Sequence, residues 1–338
     1  MNIMHKENTY KKLFEKFDHL TVMIIGDVMV DSYLWGKVER ISPEAPIPIV
    51  ALRKRENRLG GASNVAINVR AMGAKPLLCS VIGDDHKGDT FVDLLKKEKI
   101  DTHGILRSHS RITTTKFRIF GNSTQMLRVD EEVEHDLSEK DSQDLLKVCK
   151  KILDHEKVDC IIFQDYNKGV VTEKIIVEIN AIARSKNIPV TVDPKKRNFD
   201  AFAGVTLFKP NLTELKEGLK MNIDKDNRDG LMEAAKILRT KLGCAYILTT
   251  LSERGIFISM KDHLDEKNIF IPAHVRSIAD VSGAGDTVIS VASLCLALKC
   301  APYEIAYISN LAGGLVCEEV GVVPVNKDKL LKEVLALL

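Results

Sequence analysis

The sequence has almost no excess of one sign of charge: 49 lysines and arginines face 47 aspartates and glutamates, a formal net charge of +2. Without a broad basic surface the chain lacks the electrostatic footprint of a nucleic-acid or anionic-membrane binder, so any anionic ligand has to be held locally. A cysteine pattern is missing as well. The seven cysteines (79, 149, 160, 244, 295, 300 and 317) show no C-x-x-C spacing and no histidine rhythm, which argues against a disulfide framework or a zinc site and leaves reduced, buried thiols as the expectation. Long apolar runs are also absent. The stretch VISVASLCLAL is too short to span a bilayer, and the N-terminal MNIMHKENTYKKLFEKFDHL is charged throughout, without the apolar core of a signal peptide. These absences predict a soluble, cytoplasmic protein with no nucleic-acid or membrane partner. Residues 1–20 read as a helical extension ahead of one large domain over 21–338.

What is present is alternation. Short apolar strands (TVMIIGD, PLLCSVIG, VDCIIFQD, IPVTVD, AYILTT) take turns with amphipathic helices (ASNVAINVRAMG, GDTFVDLLKKEKI, TEKIIVEINAIARSKN, LMEAAKILRTKLG), the order expected of parallel strands joined by crossover helices. Two segments break the rule. RISPEAPIPIVALRKRE is rich in proline and β-branched residues, and RITTTKFRIFGNSTQMLRVD reads as a hairpin turning at GNST. They are expected to form a small separate sheet, with strands near 33–56 and 111–130, serving as a lid over a site or as a surface for a second subunit.

The chemistry-bearing stretches lie at strand ends and helix starts. In DVSGAGDTVISVASLCLALK, helical periodicity begins near Asp286, so Gly283, Ala284 and Gly285 form the approach to a helix N-terminus. Unpaired backbone N–H groups there, reached past small residues, can cradle an anion, with Asp286 beside it; the same pattern also serves simply to start a helix. After the first strand, GDVMVD places Asp27 and Asp31 at and beyond a strand's carboxyl end, where acids suit the hydroxyls of a polyol. RLGGASNVA adds Gly60 and Gly61 for close backbone approach and Asn64 from the first helical turn. KPNLTE sets Asn211 and Glu214 three residues apart, able either to hold waters around a nucleotide-bound magnesium or to cap a helix. ILTTLSERG, from Thr249 through Ser252 to Gly255, is compatible with a nucleotide contact or a plain hairpin. GDDHKGDT is not a P-loop, because Asp89 stands where the lysine belongs.

Taken together, GDVMVD, GGASNVA, KPNLTE, TLSERG and DVSGAGD resemble, in order and spacing, the ribokinase-like (pfkB-type) carbohydrate kinase family. Over GDVMVDSYLWGKVERISPEAPIPIV, DYNKGVVT, VDPK and DVSGAGDTVIS the likeness is to family members acting on D-glycero-D-manno-heptose 7-phosphate, the kinase half of a bifunctional kinase and adenylyltransferase. The resemblance implies an α/β three-layer sandwich with a mostly parallel sheet and a small β lid, dimerised through the lids. It implies ATP, Mg²⁺ and a sugar phosphate as ligands, with phosphoryl transfer to the anomeric hydroxyl on the way to ADP-heptose. Asp286 would be the catalytic base and Gly283, Ala284 and Gly285 the anion hole. Asn211 and Glu214 would serve nucleotide and magnesium, the metal through water, with Thr249, Ser252 and Gly255 beside the nucleotide. Asp27, Asp31, Gly60, Gly61 and Asn64 would line the sugar site; Arg58, Lys116, Arg118, Arg128 and Lys168 are candidates for the distal phosphate. Other sugar kinases of the same fold, or a non-catalytic sugar or nucleotide sensor, are the competing expectations. Ser282 stands where many relatives have threonine, which keeps the hydroxyl. No H-x-G-H motif for nucleotidyl transfer is present, so the adenylyltransferase step is expected from another polypeptide, unless this sequence is a piece of a longer chain.

Overall fold

The computed structural model describes residues 3–336 apart from 123, 225, 263, 264 and 275. The strands are β1 (Thr21–Gly26), β2 (Val28–Ile41), β3 (Pro48–Gly61), β4 (Lys75–Gly83), β5 (Ile105–Ser108), β6 (Thr115–Gly121), β7 (Thr124–Glu131), β8 (Cys160–Gln164), β9 (Val190–Asp193), β10 (Leu207–Phe208), β11 (Tyr246–Thr250), β12 (Ile256–Asp262) and β13 (Asp265–Ile271). The helices are α1 (Ile3–Lys16), α2 (Ala62–Ala71), α3 (His86–Lys97), α4 (Glu139–His155), α5 (Glu173–Ser185), α6 (Leu212–Leu219), α7 (Arg228–Leu242), α8 (Ala284–Ala297), α9 (Pro302–Val316) and α10 (Lys327–Ala336).

Strands that read as continuous apolar runs end up covered on both faces, as parallel sheets require. The main sheet runs β5-β4-β1-β8-β9-β10-β11 in parallel, and β12 and β13 extend it as an antiparallel meander at one edge. One apolar cluster joins the sheet to α2, α8 and α9, and a second joins its other face to α4, α5 and α7. This is the expected α/β three-layer sandwich. α8 carries small and apolar residues on every side, and its Thr287, Ser290 and Ser293 hydroxyls bond back to carbonyls one turn earlier, so it is buried from Asp286 to Leu296. Gly313 of α9 is the price of that packing: a Cβ there would lie 2.7 Å from Val288 Cγ2. The cysteines are unpaired, six of them buried and Cys300 half-buried.

The second sheet is β3-β2-β6-β7, with β2 and β6 parallel and the outer pairs antiparallel. Its strands reach closer to the main body than the sequence suggests. Only Asp27 separates the end of β1 from the start of β2, β3 runs directly into α2, and residues 111–114 precede β6 rather than belonging to it. The predicted β6–β7 hairpin forms, although residue 123 of its GNST turn lies outside the described residues. The N-terminal helix is likewise integral to the body, since Phe14 and Phe17 are buried in the core beside α10.

β1 lies between β4 on one side and β8 on the other, so the chain's winding direction reverses there. A crevice opens beyond the carboxyl ends of strands at such a reversal, the usual ligand position in open α/β sheets. Phe163, the penultimate residue of β8, is fully buried with its ring 5.8 Å from that of Phe202. Phe163→Ala is therefore expected to lower the unfolding free energy by about 3–5 kcal/mol. Urea titration measures it, and a loss below about 1 kcal/mol would contradict the described packing.

Candidate active site

The crevice is floored by residues just past β1, β8, β9 and β10 and closed on one side by the start of α8. Gly283 is the N-cap of α8 at φ +82°, a left-handed conformation that glycine adopts freely, and a Cβ there would lie 2.8 Å from Asn64 Nδ2. With no side chain at that position, no side chain caps the helix. Its first amides and the positive end of its dipole therefore face the crevice. Helical structure starts at Ala284, two residues earlier than the periodicity suggests, and the Ala284 amide already reaches the Val281 carbonyl at 3.3 Å. That leaves Gly285 and Asp286 in the first turn. A Cβ on Gly285 would sit 3.7 Å from Lys209 Nζ and 3.8 Å from Asp193 Oδ2, so this glycine borders the polar floor without being sterically required.

Asp286 is 4% exposed, yet each of its oxygens is met by neutral donors. Asn64 Nδ2 donates to Oδ2 at 2.8 Å, while Gln164 Nε2 and the Tyr166 hydroxyl donate to Oδ1 at 3.0 and 2.7 Å. Burial pushes its carboxyl up to about 6; the hydrogen bond from Asn64 opposes the rise, the Asp193 charge adds to it, and the Tyr166 hydroxyl and Lys209 oppose it. Gln164 Nε2 also donates to Asp193 Oδ2 at 3.2 Å, and Asp193 pairs with Lys209 at 3.0 Å, both nearly buried. Asn64 is held in turn by Asn68, whose Oδ1 accepts from Thr287 Oγ1 and Val325 N. Asn64 thus braces Asp286 in the structure.

On the lid side, Asp31 is 3% exposed and salt-bridged to Arg118. Burial raises its carboxyl despite that guanidinium. Gly60 is the residue that admits the Asp31 carboxylate, because a Cβ there would collide with Oδ2. Gly61, at φ +60°, turns the chain into α2 against the Asp27 carbonyl. Asp27 itself departs from expectation. Its carboxylate accepts from the backbone amides of Tyr166, Lys168 and Val170 at 2.8–3.1 Å, at 1% exposure, so it anchors the loop after β8 instead of waiting for a sugar hydroxyl. Lys168 and Lys116 are also committed: Lys168 Nζ pairs with Glu132 and Glu134, and Lys116 with Asp130 and Glu132. Arg128 lies opposite Arg118 across the β6–β7 ladder, half-exposed, 3.0 Å from Asp130.

On the side where the sequence leads one to expect the nucleotide, Asn211 and Glu214 cap α6 reciprocally. Asn211 Oδ1 accepts from the Glu214 amide and Glu214 Oε2 from the Asn211 amide, both at 2.8 Å, while Glu214 Oε1 is bonded to Lys195. The Thr249 hydroxyl is buried in the sheet with no partner, whereas Thr250, the last residue of β11, is half-buried and bridged to Asn211 by backbone pairing. Gly255, at φ +91° and closed in by the Ile271 carbonyl, serves the tight β11–β12 turn, as does Ser252 at φ +53°. Gln164, Tyr166, Asp193, Lys195 and Lys209 were not among the residues singled out from sequence. Their signal is positional: each sits at or just beyond the carboxyl end of a buried parallel strand.

A carboxyl raised from an ordinary 3.8 to about 6 disfavours the folded state once it ionises, so this group's contribution to stability is full below about pH 4 and is lost as pH rises through 6. The loss is at most about 3 kcal/mol. Asp286→Asn is therefore expected to gain melting temperature relative to the parent between pH 4 and 7, read by calorimetry across that range; a gap that stays flat would contradict the shift.

The profile of the pfkB family carbohydrate kinases matches residues 20–329. Among curated proteins the chain is similar to the bifunctional protein HldE of Helicobacter acinonychis (39% identity over 301 residues, 89% of this chain and 63% of the relative) and of Caulobacter sp. (38% over 325 residues, 96% and 64%). The chain thus spans somewhat under two thirds of the length of these relatives. Among solved structures it resembles phosphofructokinase-2 from Escherichia coli in complex with potassium (TM-score 0.76, 16% identity, 94% of this chain and 98% of that one) and Arabidopsis thaliana ribokinase complexed with ribose and ATP (TM-score 0.71, 16% identity, 93% and 98%), likenesses of fold. With nearly the whole chain matched by the family profile and the ribokinase architecture in place, this protein belongs to the pfkB family of carbohydrate kinases.

Proposed function

We propose that the protein transfers the γ-phosphoryl group of ATP to the anomeric hydroxyl of D-glycero-D-manno-heptose 7-phosphate, giving heptose 1,7-bisphosphate and ADP. The observation that carries the reaction type is the Asp286 carboxylate, held by Asn64, Gln164 and Tyr166 beside the uncapped start of α8. The seven-carbon acceptor is supported by the extended likeness over GDVMVDSYLWGKVERISPEAPIPIV, DYNKGVVT and VDPK and by the bifunctional relatives.

Phosphoryl transfer passes through a loose transition state, so alignment and charge stabilisation are the protein's task. The Gly285 and Asp286 amides and the dipole of α8 would meet the charge on the migrating group, with Lys209 and Lys195 close by. Asp286 would take the proton of the anomeric hydroxyl as the new P–O bond forms and the bond to ADP breaks. Its raised pKa makes it a stronger base than an ordinary aspartate while leaving it ionised at neutral pH. Asp31 would accept a sugar hydroxyl. Magnesium, brought with the triphosphate, would neutralise the β and γ oxygens; the donor set fits a cation held chiefly by phosphate and water, because Glu214 and Asp193 each already face a lysine and no cluster of three ligating side chains occurs among the described residues.

Lys116 and Lys168 each face two acids and Arg118 is held by Asp31, so the distal phosphate would fall to Arg128, which is half-exposed with one acid, Asp130, beside its Nε. The outer face of the lid exposes Leu127 and Val129, opposite in register to Ile119 and Phe117, which supports pairing of two copies through the lids. No helix among the described residues is long and apolar enough to cross a membrane.

Asp286→Asn is expected to fold and to lose about 10²–10⁴-fold in kcat; near-parental turnover would overturn the base assignment. Tested with MgATP on a panel including heptose 7-phosphate, unphosphorylated heptose and fructose 6-phosphate, the protein should favour the first. A preference for fructose 6-phosphate would refute the acceptor. Arg128→Ala should raise KM for the phosphorylated sugar about tenfold while leaving KM for MgATP unchanged.

A further inference from the structure

The lid and the start of α8 are joined by a chain of contacts that passes through the loop after α9. Tyr33 of β2 is 2% exposed, and its hydroxyl accepts from the Val322 amide at 3.3 Å. Arg58 of β3 lies opposite Asp31 in register, with its guanidinium 4.9 Å from the centre of the Tyr33 ring. Its Nη1 donates to the carbonyls of Val320 and Val322 at 3.4 and 3.2 Å, while Nε is held by Glu56 at 2.6 Å. Between those carbonyls sits Gly321 at φ +76°, where a Cβ would lie 2.7 Å from Arg58 Nη1 and 3.1 Å from the Tyr33 hydroxyl.

The same turn faces the helix start. The Gly321 amide donates to Asp280 Oδ2 at 3.0 Å, and Asp280 Oδ1 accepts from the Ser282 amide at 2.9 Å, one residue before the N-cap. Val322 borders the N-cap, since a Cβ added to Gly283 would lie 3.4 Å from its Cγ1. The lid residues adjoining Asp31 thus fix both sides of a turn whose other contacts fix the approach to α8.

We infer that Arg58 and Tyr33 are positioning residues that tie the lid to the anion-binding helix start through Gly321 and Asp280, so that the lid's setting on the sugar determines whether the first amides of α8 are aligned for transfer. Arg58 then has a different task from binding the distal phosphate: two of its three nitrogens are spent on the protein. The inference rests on the kinase reading of the α8 N-terminus and is independent of which sugar is the acceptor. A polar relay of this kind moves activity through alignment rather than affinity.

The test uses Tyr33→Phe, Arg58→Gln and Arg58→Lys, with whichever acceptor the sugar panel identifies. Tyr33→Phe and Arg58→Gln are expected to lower kcat about tenfold with KM for acceptor and MgATP changed less than about twofold, and Arg58→Lys to recover part of the loss. Hydrogen exchange should quicken at residues 281–285 in the two impaired variants. A raised acceptor KM with kcat retained would make Arg58 a substrate ligand and overturn the relay, as would unchanged kcat and exchange. If Arg58→Gln fails to fold, Tyr33→Phe decides, because it removes a single oxygen and keeps the ring stacked with Trp35 and Phe120. Absence of turnover in the parent protein with every sugar tested would count against the kinase reading instead.

Discussion

A carboxylate kept almost entirely from water, with neutral donors brought to it from three parts of the chain, is the constraint around which this fold is arranged. A lone buried charge is prohibitively costly, and at Asp286 that cost is reduced, though not removed, by donors that carry no net charge themselves. Those donors come from different places: Asn64 from α2, Gln164 from the end of β8, and Tyr166 from the loop behind it. Each needs its own support. Asn68 braces Asn64, Asp193 shares Gln164, and Asp27 gathers the backbone on which Tyr166 rides. One side chain at the head of α8 is thus tied to two layers of the sandwich and the switch point of the sheet.

Around it, charge is placed in opposed couples: Asp193 with Lys209, Glu214 with Lys195, Asp31 with Arg118. Couples of this kind keep cations and acids in fixed positions without a large field in the unliganded crevice, in keeping with a chain whose overall charge is close to neutral. In the proposed function an entering polyphosphate would meet Lys195 and Lys209 already oriented by their acids, and an entering sugar would meet Asp31 already fixed by Arg118. Preorganisation of this sort is the main resource of an enzyme whose reaction asks for little covalent chemistry from its side chains.

Local patterns in the sequence carried the α/β alternation, the two segments that depart from it, and the glycine-rich entry to α8, because periodicity and turn chemistry are short-range properties. The partners of Asp286 were not legible in that way. Asn64 lies 222 positions away and Tyr166 lies 120 away, so only the winding of the sheet brings them together. Asp27 and Asp31 look equivalent in GDVMVD; what separates them is that the loop from Tyr166 to Val170 folds over the first and Arg118 reaches the second. Thr249 and Thr250 are neighbours with opposite fates, decided by which face of β11 each side chain takes. Lys168 looked like a free cation because the two glutamates that neutralise it belong to the stretch after β7, more than thirty residues earlier.

The roots of the smaller sheet have a mechanical consequence. β2 leaves the body after Asp27 alone and β3 returns straight into α2, with the Ala62 amide bonded to the Asp27 carbonyl at 2.9 Å. Both strands are thus joined to the body at one root, and Tyr33 and Arg58 add a second tie to the loop after α9. Asp31, four residues from that root, is buried, whereas Ile41 and Ile47 at the far end are exposed, so a change of length at the far end would alter the sheet's reach without altering the surroundings of the acid.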